Sequence, residues 1–454
     1  MKNHLRTALT VFLMAILVAG AAFAGGGREQ AQQQVSINIA LPNNPISNAL
    51  ANLADSEYTP PPGVNIEISV LPENDLRQRL TTEASTGGTT YHMFTFGPYE
   101  ALNWARFGWL ANLEPLFANL TPEQLAAYDR SDLIPAMADS LKLDGDAYAL
   151  PFYGESAFIM YNRDLFEQNG LTMPERPTWN ELYEMAQVIH DPANGIAGMT
   201  MRGAPGWGMS GAPFVPMVNA FGGRFFDMDW NATVDTPQQR AAWQMYRDIL
   251  VNAGQDDIIS YTYNEAIALM QSGRAGMYFD ATSIAPPLES AESRIAGRVG
   301  YVFPPREEHV SQWLWNWAFG INPNISQREK EAVFDFILWA TSKDFIARTM
   351  EVDPTGASTP PASRSSTYQI PAYANLPYAQ ITLDLLEELD FDNPTVDPVP
   401  YQGLQYLAIP EFADIGTQMT QWLADYVVGS MSLDDAIRRT QDLFNRTAVE
   451  GGYR

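Results

Sequence analysis

The sequence predicts an α/β protein with helix-covered sheets and at least two folding units. Three observations carry this. Short stretches of alternating apolar and polar residues interleave with capped helical segments along most of the chain, the pattern of sheets covered by helices. The chain has 454 residues, whereas a single hydrophobic core stops growing at roughly 250–300 residues. Its 46% hydrophobic and 18% charged residues are globular proportions, neither disordered nor membrane-embedded.

The elements follow in order. MKNHLRTALTVFLMAILVAGAAFA, residues 1–24, reads as a cleavable secretion signal. Lys2 and Arg6 form its basic start, Leu9 to Val18 its apolar middle, and Ala22-Phe23-Ala24 a small-x-small cleavage site. The apolar run is shorter than the roughly 20 residues a membrane-spanning helix needs. Residues 25–34 are a polar leader, expected to be disordered. Val35 to Leu41 alternates and ends at Pro42, a first strand; Val64 to Val70 is a second, and Pro60-Pro61-Pro62-Gly63 turns the chain between them. Leu76 and Leu80 give Asp75 to Ser85 one apolar face, a short amphipathic helix. Thr178-Trp179-Asn180-Glu181 is a capping box opening a helix to about His190. Thr121-Pro122 and Thr236-Pro237 place proline at the first helical position. Ser326 with Glu329, and Ser432 with Asp435, open two more helices. Asp353 to Pro371 and Asp390 to Tyr401 are long Pro-rich connections, read as ordered loops because structured patterns resume after each.

Composition removes several functions. With no cysteine, disulfides, zinc–thiolate sites and thiol nucleophiles are excluded, and so is a lipid anchor on a cysteine at the cleavage point. The expected location is therefore the periplasm, in soluble form. Beyond the signal, His92, His190 and His309 lie far apart with no paired-ligand spacing, so no metal site is expected. The formal charge of −26 repels nucleic acid and anionic lipid and suits a neutral solute. There is no G-x-S-x-G elbow, P-loop, dinucleotide glycine fingerprint or H-E-x-x-H, so neither cofactor nor catalysis is expected. The two facing carboxylates of a glycosidase stay open, because carboxylates are abundant.

Five segments interleave aromatics, Gly and Pro with single polar groups: FTFGPY (Phe94 to Tyr99), PFYGES (Pro151 to Ser156), RGAPGWG (Arg202 to Gly208), Phe279 to Thr282, and SQWLWNWAFGINP (Ser311 to Pro323). A sugar or polyol suits such a lining. Aromatic faces cover C–H atoms, and Arg, Asp, Glu and Asn bond hydroxyls that both donate and accept. Blander roles exist for each: a helix cap for Glu155 or Asp280, a surface ion pair for Arg202. Trp207, flanked by Gly206 and Gly208, reads as an exposed, positioned indole.

Several longer stretches then point to a family: FGPYEALNWARFGWLANLEPL (Phe96 to Leu116), Leu150 to Leu182, RGAPGWG, FGGRFFDMDW (Phe221 to Trp230), GRAGMYFD (Gly273 to Asp280), the tryptophan segment, and Pro394 to Gln418. The chain resembles the extracellular solute-binding proteins of ABC transporters, maltose-binding-protein-like. More narrowly, it is similar to the periplasmic binding proteins for sorbitol and mannitol. The resemblance implies a two-lobe, type II-like periplasmic binding fold with a ligand cleft between lobes joined by crossover segments. It implies hinge closure on solute, delivery to a membrane permease, and a monomer without cofactor. Carried over, the N-terminal lobe holds residues 35–149 plus 313–356, and the C-terminal lobe 150–312 plus 357–454. The implied ligand residues are Asn44 and Tyr99 from the first lobe, Tyr153, Glu155, Arg202, Trp207 and Asp280 from the second, and Trp315 from a crossover. Glu155 and Asp280 would accept from hydroxyls, Arg202 would donate, and Trp207 and Trp315 would cover the carbon chain. On the tryptophan strand, Trp313 and Trp315 are expected in the cleft, with Trp317 and Phe319 in the core. The alternatives are a monosaccharide or short-oligosaccharide binder, or a secreted carbohydrate-active enzyme.

Overall fold

Val35–Pro42 and Val64–Leu71 pair in parallel along their whole length, as the two alternating segments require. In a computed structural model, residues 34–361, 363–390 and 393–454 are described. The expected secretion signal and, apart from Gln34, its leader lie outside them. Met93–Phe96 adds to the other side of Val35–Pro42, followed by Trp315–Ile321 and Ala149–Glu155, both antiparallel, to complete a five-stranded sheet. A second sheet has four strands in the order Val299–Val302, Ala157–Asn162, Ala275–Ala281 and Ala197–Thr200. Each sheet is the floor of one lobe. All residues of Ala149–Glu155 and Ala275–Ala281 are buried, as in strands covered on both faces.

Ser156 alone separates Ala149–Glu155 from Ala157–Asn162, so the chain leaves the first sheet after Glu155 and not after Ala149. Pro151 sits inside this strand, which is the outermost of its sheet, where a missing N–H is tolerated. Ser156 is pinned at the crossing. Its N–H donates to Thr282 Oγ1 at 3.2 Å, and its carbonyl accepts from the Thr282 N–H at 2.8 Å. The return passage runs through Leu314. There the Gln405 side chain accepts from the Leu314 N–H at 3.1 Å and donates to its carbonyl at 2.5 Å.

The segment after residue 356 is also divided differently from the expectation. Arg364, fully buried, donates to the carbonyls of Thr341 (2.8 Å) and Asp129 (3.1 Å) and pairs with Asp132 at 3.2 Å. A buried guanidinium needs such a set of acceptors, and these belong to segments that pack on the first sheet. The helices Phe412–Val427 and Leu433–Glu450 pack on Pro237–Asn252 beside the second sheet.

The helix starts are where cap chemistry puts them. Thr178, Thr121 and Ser326 each form a full capping box, and Thr236 and Ser432 each accept from the N–H three residues on. The expected Asp75–Ser85 helix runs Glu73–Thr86 and ends on Gly87 at φ +70°, the left-handed cap that glycine takes without strain.

Candidate functional site

A cleft lined by side chains of both lobes lies between them. The first lobe contributes Asn44 and Ile46 at one helix start, Glu73 and Arg77 on the helix Glu73–Thr86, and Tyr153, Glu155, Trp315 and Trp317 on two neighbouring strands. Arg202, Trp207, Tyr263, Ile267, Ser283, Ile284 and Pro287 face them from the second lobe, with Trp313 and Gln405 at the crossing.

Register explains the strand residues. Trp315 stands opposite Glu155 and Trp317 opposite Tyr153, after which the register shifts and Ala318 meets Pro151. The shift leaves Phe152 as an extra residue, a bulge that bends the strand locally. Tyr153 and Glu155 thereby enter the cleft with two indoles. Phe152 stacks on Phe319, with centroids 4.6 Å apart and planes at 26°, so Phe319 is core as expected. Trp317 is not; it lines the cleft. Gly97 makes room for Trp315, since a Cβ there would stand 1.9 Å from the indole Cζ2.

Of the eight expected residues, Asn44, Tyr153, Glu155, Arg202, Trp207 and Trp315 line the cleft, and Tyr99 and Asp280 do not. Asn44 caps its helix by accepting from the Ser47 N–H at 2.9 Å and donates to the Tyr153 hydroxyl at 2.9 Å. Asp280 lies inside the strand Ala275–Ala281, without exposure, behind Arg202. Both of its oxygens accept from that guanidinium, at 2.8 and 2.5 Å; the Tyr278 hydroxyl and the Ala281 N–H donate to it as well, each at 2.7 Å. Asp280 therefore has its acceptor sites filled by protein and orients Arg202. Burial opposes the Arg202 charge, but Asp280 outweighs it and raises the guanidinium's pKa above its ordinary value.

Tyr99 stands behind Trp207. Its hydroxyl donates to Pro410 O at 2.9 Å and accepts from the Ala413 N–H at 3.0 Å, and its ring meets Trp207 at 5.0 Å. Trp207 is buried by Tyr99, Phe412 and Trp315, not exposed as its glycine flanks suggested. Tyr99→Phe is expected to lower the unfolding free energy by about 1–2 kcal/mol, because it strands the Pro410 and Ala413 backbone groups, and to leave solute affinity within a few-fold. Urea unfolding alongside titration checks this; a large loss of affinity at unchanged stability would put Tyr99 on the ligand instead.

Sequence reasoning missed Glu73, Tyr263, Ser283, Gln405 and, above all, Arg77. Its Nε donates to Glu73 at 3.0 Å and its Nη1 to Glu100, while the guanidinium lies over Trp207, Trp315 and Trp317 at 4.5, 4.8 and 5.0 Å. Burial opposes this charge too, but Glu100 and Glu73 hold the pKa above the ordinary value. A cation over indole faces away from water gains about 2 kcal/mol. Because Trp207 comes from the other lobe, the contact spans the cleft. So does the bond from the Tyr263 hydroxyl to Asn43 O at 3.2 Å. The lobes are thus closed on each other.

Chemically, the cleft offers indole faces, two cations already neutralised by protein carboxylates, and hydroxyl, amide and carboxyl groups. Residues 46–345 match the model of the bacterial extracellular solute-binding proteins. A mannitol-binding protein from Pseudomonas aeruginosa is 36% identical over 428 residues, 93% of this chain and 95% of that protein. An ABC transporter solute-binding protein from Agrobacterium vitis, crystallised with bound D-mannitol, superimposes with a TM-score of 0.87 at 38% identity, over 92% of this chain and 99% of that one. A ribitol complex from Agrobacterium radiobacter shares the fold at 22% identity, with a TM-score of 0.79 over 91% and 99% of the two chains. With a family match across both sheets and a relative aligned over nearly its whole length, the chain belongs to the bacterial extracellular solute-binding protein family.

Proposed function

We propose that this protein is the periplasmic substrate-binding component of an ABC importer, capturing a linear polyol such as mannitol or sorbitol by closing its lobes and delivering it to the membrane permease. The observation that carries this is the charge state of the cleft. Arg77 is neutralised by Glu73 and Glu100, and Arg202 by Asp280, so a charged solute would find no unpaired counter-ion among them. A neutral polyhydroxylated solute finds indole faces for its carbon chain and polar groups for its hydroxyls. The two relatives named or crystallised with mannitol favour a hexitol over a sugar ring. The size is adequate. Micromolar binding needs about −8 kcal/mol, and a hexitol of roughly a dozen heavy atoms stays under the ceiling of about −1.5 kcal/mol per atom.

In this reading the protein acts as a monomer and leaves its ligand chemically unchanged. The first lobe comprises residues 35–155 and 315–356 with the segment around Arg364 that is anchored on Thr341, Asp129 and Asp132, and the second comprises 156–312 with the C-terminal helices. Calorimetric titration with hexitols, pentitols, hexoses and maltose tests the reading. One hexitol per chain, bound at micromolar affinity or better and recovered intact, is expected. Tight binding of maltose or an amino acid alone, or hydrolysis of a glycoside, would overturn it.

A further inference from the structure

We infer that Glu155 closes over the solute as a neutral carboxylic acid, so that capture of the solute takes up one proton. The inference rests on the polyol reading for its ligand and on the geometry around Glu155 for its chemistry. Glu155 lines the cleft but is only 6% exposed. One carboxyl oxygen, Oε2, accepts from the Ser283 hydroxyl. No ion pair reaches this carboxyl among the described residues. A buried carboxylate without a paired cation is costly, and such a group neutralises itself by holding its proton.

The charged neighbours on every packed element are accounted for, and on balance they favour the neutral carboxyl. Arg202, the cation acting on Glu155, is committed to both oxygens of Asp280 and to Gly208 O at 2.9 Å. Arg77, on the helix Glu73–Thr86, is committed to Glu73 and Glu100. Asp280 on the second sheet and Glu73 on that helix both repel a charge at Glu155, and the flanking hydroxyls of Tyr153 and Tyr263 are themselves held neutral by burial. Burial is the largest effect, the Ser283 bond and Arg202 oppose it, and the carboxyl is pushed up to about 8.

A protonated carboxyl donates through its O–H and accepts at its other oxygen, the same pair of roles that a ligand hydroxyl offers. The sequence led us to expect an acceptor only. When the lobes part and water reaches Glu155, its value returns towards the ordinary 4.5. The complex then holds a proton that the open protein lacks. Affinity is full below the ordinary value, falls as pH rises between it and about 8, and levels off above. The slope within that window approaches tenfold per pH unit.

The test is calorimetric titration of the full-length mature protein with D-mannitol at pH 7, in two buffers of different ionisation enthalpy, with the affinity followed from pH 5.5 to 9. Close to one proton taken up per mannitol is expected, with affinity falling up to about tenfold per unit below pH 8. Glu155→Gln keeps the shape without the titration. At whatever affinity it retains, it should take up no proton and show a flat profile. A wild-type proton count near zero, or the same count in Glu155→Gln, would overturn the inference; if that variant fails to fold, the wild-type count and profile decide alone. Absence of any mannitol binding would count against the polyol reading instead. The proton count would then be made with whichever hexose, pentitol or maltose binds.

Discussion

Asp280→Asn is expected to lower the unfolding free energy by about 3–5 kcal/mol, because it removes one partner of a buried ion pair and leaves the other charge uncompensated. Arg202 is nearly inaccessible, and with the carboxylate replaced by an amide it keeps only neutral acceptors, the amide oxygen and Gly208 O. The same change frees the guanidinium from the position in which its spare N–H groups face the cleft, so mannitol affinity should fall at least a hundredfold. Urea unfolding and calorimetric titration measure the two effects. Replacing both members of the pair, as Asp280→Leu with Arg202→Met, separates them: apolar residues of similar volume restore much of the stability, while binding stays lost. An Asp280→Asn protein of wild-type stability would show that the pair is not the buried anchor described here.

Trp207→Ala is expected to weaken mannitol binding by about a hundredfold, close to 3 kcal/mol. The indole has two jobs. It walls the cleft beside Trp315, with ring centroids 5.8 Å apart, and it carries the Arg77 guanidinium of the opposite lobe at 4.5 Å. Truncation removes ligand contact and closure contact together. Stability of the unliganded protein should also drop, since Trp207 packs on Phe412 and against Gly416 within its own lobe. That drop should stay below the roughly 3–5 kcal/mol of a fully enclosed tryptophan, because an open cleft has already surrendered the Arg77 contact. Titration and denaturant unfolding report both, and undiminished affinity would remove Trp207 from the site.

What the sequence disclosed was mostly local. Alternation at Val35–Leu41 and the Thr178–Glu181 cap are written in adjacent residues, and each is found where it was expected. Tyr153 and Glu155 came from the segment PFYGES and from the family resemblance, and they stand two apart on one strand lining the cleft. Arg77 was not legible. Helical spacing shows that Leu76 and Leu80 face inward, but a Glu73–Arg77 pair four residues apart reads as a solvated surface bridge. Its burial depends on Trp207, which arrives from a distant segment. Asp280 and Tyr99 were the right chemical types at the wrong depth, since sequence shows that a polar group needs a partner but not whether the partner is protein or ligand. Trp317 was assigned to the core because four aromatics along about 20 Å of strand are more than one small solute can cover; nothing in the sequence signalled that Arg77 would sit over its ring.

Closure on the solute is measured most directly by small-angle X-ray scattering of the mature protein with and without saturating D-mannitol. The contacts from Arg77 to Trp207 and from Tyr263 to Asn43 exist only when the lobes meet. The radius of gyration should therefore fall on adding mannitol to the wild type, and fall much less in Trp207→Ala at the same mannitol concentration. A wild-type scattering curve that stays unchanged while calorimetry shows mannitol bound would contradict capture by closure.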